Sequence, residues 1–94
     1  MNIFIKVAPR YYERLRSQIS SQSPAREAID KATRIDHAVE GVLFEGYNIP
    51  CDEDQARIIL ETAKQSCPEI VRDIEEVLRL ARRTDRPVYT PLLS

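Results

Sequence analysis

Apolar positions in this chain come in blocks, and the spacing within each block predicts its structure. Asn2-Ile3-Phe4-Ile5-Lys6-Val7 is β-branched and aromatic and stops at Ala8-Pro9, which predicts a short strand. A strand needs a partner for its backbone groups. The other extended candidate is Pro87 to Leu93, where Val88, Tyr89 and Thr90 lie between prolines that restrict it to a sheet edge. Three arrangements follow: a small ribbon between the two termini, pairing of the first strand with another chain, or an arm packed on the body.

The blocks between these ends read as helices. Pro9 suits a first helical turn, and Tyr12, Leu15 and Ile19 then share a face, with Tyr11 beside them. The polar cluster Ser17 to Ser23 ends that helix. Ser23-Pro24 opens the next, with serine as the cap and proline in the first position. From there Ala25, Ala28, Ile29, Ala32, Ile35, Val39, Val42 and Leu43 recur at steps of three and four, which predicts a long helix reaching Phe44 or Glu45 and ended by Gly46. A strand from Val39 to Tyr47 is the rival, because Val42-Leu43-Phe44 is a compact apolar run. The unbroken three–four spacing through Val39 favours the helix. Gly46 to Pro50 reads as a loop, with Ile49 held extended by the following proline.

Asp52 and Gln55 form the pattern of a capping box, and Asp52-Glu53-Asp54 complements the positive pole of the helix that follows. Ala56, Ile59, Leu60 and Ala63 make its buried stripe. Ser66-Cys67-Pro68-Glu69 reads as a second capping box, opening a helix with Ile70, Val71, Ile74, Val77, Leu78 and Ala81 on one face. Arg79, Arg82 and Arg83 sit near its negative pole. The short break makes these two helices neighbours. The expected fold is therefore mostly α: a small four-helix bundle-like domain spanning 1–94, with a strand or arm at 1–8, a tail at 84–94, and room for a minor β-ribbon between the termini.

Composition fits one globular unit, with 43 % apolar and 31 % charged residues in 94 positions. Two glycines argue against phosphate-binding loops. The net charge of −1 points to no partner, although residues 1–22 carry Lys6, Arg10, Arg14 and Arg16 against Glu13 alone. Asn2 to Val7 is too short for a signal peptide and Lys6 interrupts it, and no run approaches the roughly 20 apolar residues of a membrane span. With two cysteines and no export signal, a reduced, cytoplasmic protein without membrane contact is expected.

Candidate chemistry is sparse. Cys51 and Cys67 flank one predicted helix, whose rise would separate them by about 24 Å; a disulfide needs Cα atoms within about 7 Å. Both sit at predicted helix N-termini, where a thiol pKa is lowered, but no histidine or basic residue is near in sequence. His37 and Glu40 lie one turn apart on the predicted long helix, a spacing used in carboxylate metal bundles, yet the further ligands such sites need are missing. The remaining carboxylates fall at caps or on exposed faces. No catalytic residue, metal or cofactor is expected, and no enzymatic activity. A helix-turn-helix reading of the last two helices fails on charge, since Glu69, Asp73, Glu75 and Glu76 would face phosphates.

The surfaces suited to a partner are elsewhere. Arg10, Tyr11 and Arg14 join guanidinium groups to an aromatic ring, and Tyr89 and Leu92 could anchor the apolar tail. The long second helix carries more apolar surface than so small a chain can cover, so helices 2 and 4 are expected to supply contact area. The expected role is a non-enzymatic protein–protein interaction domain, an adaptor, inhibitor or antitoxin-like partner, that forms a homodimer and also binds another protein. The alternative is a nucleic-acid-binding regulator using Arg10, Arg14 and Arg16.

Overall fold

A computed structural model describes residues 2–90. Its elements in chain order are β1 (Ile3–Val7), α1 (Pro9–Gln18), α2 (Pro24–Asp30), β2 (Thr33–Val39), β3 (Val42–Cys51), α3 (Glu53–Ser66), α4 (Val71–Ala81) and β4 (Val88–Tyr89), with a 3₁₀ turn at Pro68–Ile70 leading into α4. Four helices and a four-stranded mixed sheet make this an α+β fold and not the mostly α four-helix bundle expected from the apolar spacing.

The largest correction concerns the long second helix. It ends at Asp30, and the rest of its predicted length is a β-hairpin. Steps of four and three through Ile35, Val39 and Val42 fit a helix face. The same residues also fit strands that reverse between Val39 and Val42. Glu40 and Gly41 make that reversal, with φ of 51° and 81°. Left-handed conformation at both central residues is what a two-residue hairpin turn of type I′ requires. β2 and β3 then pair without interruption from Val39↔Val42 to Thr33↔Asn48. Gly46, expected as a helix stop, is buried within β3 opposite Ile35, and the expected loop through Pro50 belongs to the same strand.

The sheet order is β2-β3-β1-β4. β1 is antiparallel to β3, and β3 is antiparallel to β2, so β1 and β2 run parallel with β3 between them. β4 adds to the other side of β1 in parallel. The first strand is thus interior, and the termini pair. Val88 and Thr90 donate backbone N–H groups to the carbonyls of Asn2 and Phe4, at 2.7 and 3.0 Å. β1 therefore turns the backbone groups of its even residues toward β4. Pro50, opposite Phe4, consequently has its nitrogen pointing away from β1, on the side that β2 leaves after Thr33↔Asn48. That is why a proline is accepted in an otherwise inner strand.

Alternation along the strands separates two faces. Ile3, Ile5 and Val7 of β1, Ile49 and Cys51 of β3, and Val88 of β4 are buried beneath the helices. Tyr11, Tyr12, Leu15 and Ile19 of the α1 region meet this layer, and the Tyr12 ring stacks on Tyr47 at 4.0 Å. Tyr12 also donates its hydroxyl proton to the carbonyl of Ile29, at 3.0 Å, which fixes the end of α2 against α1. The opposite face carries Phe4, Lys6, Asn48 and Pro50, all half-buried.

The Asp52 and Gln55 capping box forms in both directions, at 2.8 and 3.0 Å. Gln55 is itself buried and donates from Nε2 to the carbonyl of Pro24 at 3.1 Å, so one side chain ties the starts of α2 and α3 together. The second capping box does not form. Ser66 turns its hydroxyl back to the carbonyl of Thr62, and α4 begins without a side-chain cap after the 3₁₀ turn. At the far edge, the buried Thr90 closes the ladder. Its Oγ1 accepts from the Lys6 N–H at 2.6 Å and donates to the Lys6 carbonyl at 3.2 Å.

Gln55→Ala removes one half of the cap and the tie to Pro24 and is expected to cost about 1–2 kcal/mol, seen as a lower urea midpoint with unchanged slope. Thr90→Val keeps the side-chain shape but leaves both Lys6 backbone groups without that partner. A loss of about 1–2 kcal/mol is expected in the same assay.

Candidate interaction surface

The proposed contact residues do not form one site. On α1, Arg10 lies over the Tyr11 ring at 4.4 Å and donates to its hydroxyl at 3.0 Å, while Arg14 stands 5.9 Å from the same ring. Tyr11 is only 6 % exposed, so its ring belongs mainly to the core and offers little to a partner. Arg14 is paired with Glu69 at 3.7 Å, which offsets part of the basic face. Tyr89 lies on the other side of the sheet. It is 54 % exposed, stacks on Phe4 at 5.0 Å, and has the Lys6 ammonium 4.8 Å from its ring. Leu92 lies outside the described residues.

The open sheet face and the hairpin form a surface that spacing alone concealed. Every described side chain from Asp36 to Glu45 is exposed, including Val42 at 55 % and Leu43 at 58 %. Even-numbered and odd-numbered positions are exposed alike, so this part of the hairpin extends past the helical layer. Arg34 sits at its base, bonded to Asp36 at 3.1 Å and 3.8 Å from Glu45. On the open face between Lys6 and Thr33, the Asn48 Oδ1 is buried without a hydrogen-bond partner among the described residues. The signal for the hairpin was in the sequence: Glu40-Gly41 between β-branched residues, with polar Arg34 and Asp36 alternating with Thr33 and Ile35.

The thiols have the opposite character from that expected of helix N-termini. Both cysteines are free and buried. Burial pushes the Cys51 thiol up to about 12, with Asp52 adding to the rise. Its Sγ lies 3.7 Å from the Ile3 carbonyl, within the core. Burial also raises Cys67, partly countered by the Ser66 hydroxyl and Arg14. His37 lies in β2 and Glu40 in the turn, so they are not one helical turn apart. Among the described residues no group of three His, Cys, Asp or Glu could hold a metal ion, and no helix is long and apolar enough to cross a membrane.

No family model, curated protein or solved structure gives a significant match to this chain. A functional reading therefore rests on its own residues.

Native protein is expected to react with a thiol reagent at mildly alkaline pH far more slowly than protein in denaturant, where both cysteines are reached. Unfolded Cys51 releases its proton near 9.0, whereas the folded thiol holds it to about 12. Above 9.0 the unfolded state thus binds fewer protons, and this contribution to stability falls as pH rises from 9.0 to about 12. Cys51→Ala is expected to flatten that fall in denaturation curves taken at stepped alkaline pH.

Proposed function

We propose that this chain is a small non-enzymatic interaction domain, an adaptor, inhibitor or antitoxin-like partner, that self-associates. The observation behind this reading is the exposed β2–β3 hairpin. Its strands pair with each other, and its outer part shows Val42 and Leu43 to solvent beside the uncovered sheet face. An exposed apolar element of this kind loses solvent contact when a partner covers it. The helix 2 contact face expected from the sequence is not part of this reading, because α2 stops at Asp30. Two free, buried cysteines are in keeping with a reduced, cytoplasmic setting. The nucleic-acid alternative has less behind it, with Tyr11 buried and Arg14 paired to Glu69.

Light scattering coupled to gel filtration at micromolar concentration tests the reading. A mass twice that of the chain is expected, and a monomer throughout the accessible range of concentration would remove self-association.

A further inference from the structure

The two edges of the sheet are built differently. The β4 edge is two residues long, follows Pro87, and is continued by Thr90 binding the Lys6 backbone. The β2 edge is seven residues long, with no proline, no glycine and no bulge in its register. Sheet edges that stay unpaired are commonly short, kinked, or guarded by proline or charged side chains. β2 is neither short nor kinked and has no proline, and the charges it does carry can neutralise one another across a pairing. Its charged residues, Arg34 and Asp36, are of opposite sign and flank Ile35.

The phase of the hairpin decides which groups this edge presents. A two-residue turn closes on a hydrogen-bonded pair, here Val39 and Val42, and such pairs alternate along an antiparallel ladder. Thr33, Ile35, His37 and Val39 therefore direct their backbone groups to β3. Arg34, Asp36 and Ala38 direct theirs outward, and among the described residues nothing pairs with them.

We propose that β2 pairs with β2 of a second copy of this chain, antiparallel and in one register, about a two-fold axis at Ile35. In that register Arg34 stands opposite Asp36 of the second copy and Asp36 opposite its Arg34. Both are hydrogen-bonded pairs, which fits the outward phase. Full overlap of the two strands would instead oppose Asp36 to Asp36, and the shift the other way would oppose Arg34 to Arg34; like charges directly across are destabilising. The chosen register leaves the present Arg34–Asp36 contact of 3.1 Å in place, because these residues share one face of β2. The four side chains then form a ring of alternating charge. Ala38 falls opposite Ala32 of the second copy, so the exposed tip at Val42 and Leu43 reaches the start of the other β2. The result is one continuous eight-stranded sheet made from two four-stranded ones.

This inference rests on the self-association proposed above, and charge exchange separates the two. Sedimentation equilibrium on the full chain would compare wild type, Arg34→Asp, Asp36→Arg and the double exchange, with far-UV circular dichroism as the check on folding. Each single substitution opposes like charges at two places and is expected to weaken the dimer at least tenfold. The double exchange restores opposite charges only in this register and is expected to recover most of the affinity. A wild-type dimer whose affinity none of the substitutions changes would overturn the edge pairing and leave self-association standing. Weakening by the single substitutions without recovery in the double exchange would overturn the register. A monomeric wild type would overturn both proposals.

Discussion

A strand has two edges, and a buried strand must satisfy both. That requirement on β1 organises the fold. Ile3, Ile5 and Val7 are almost wholly removed from water, so the backbone between them has little solvent to bond to. One edge is met by β3 over the full length of β1. The other is met by the backbone N–H groups of Val88 and Thr90 and by the Thr90 hydroxyl. The helices follow from this arrangement, because Ile3, Ile5 and Val7 of β1 with Tyr47, Ile49 and Cys51 of β3 present an apolar surface that the four helices cover.

The same sheet ends in opposite ways. Its β4 side closes on proline and threonine, whereas its β2 side continues outward as a regular ladder. With helices on one face only, the polar and aromatic mix at Phe4, Lys6, Asn48 and Tyr89 remains at the other surface. The helical layer stops short of the hairpin tip, which leaves β2 and β3 resting chiefly on each other beyond Asp36. The surface open to partners is thus a consequence of how many helices this short chain can place on its sheet.

Some of this was legible in the sequence because it is local. Pro9 marked the first helix, Ser23 and Pro24 the start of the second, and Asp52 with Gln55 the third; each signal acts within one turn of chain. The apolar stripes of α3 and α4 followed from three–four spacing in segments that hold neither glycine nor proline. The hairpin was different. Residues Ile35, Val39 and Val42 satisfy a helical spacing, and only their opposite numbers across the turn show that they are strands. Pro50 looked like a loop marker because its acceptability depends on where β2 ends, a fact set by pairing between distant segments. The candidate contact residues suffered likewise. Arg10, Tyr11 and Arg14 were neighbours on one helix, as expected, but Tyr89 faces away across the sheet, and the core claims the Tyr11 ring.

The tie between Thr90 and Lys6 also has a consequence in time. These partners are 84 residues apart, so the contact that completes the central strand spans nearly the whole described chain. Contacts of such separation close late, because the chain must lose loop entropy before they form. During synthesis β1 is made before β4, so its β4 edge stays unfilled until Val88 to Thr90 have followed it. A nascent chain would for that interval carry a bare apolar strand, Ile3-Phe4-Ile5, with Lys6 as the charge next to it. The interior position of β1 that steadies the finished sheet is, before completion, its most exposed liability.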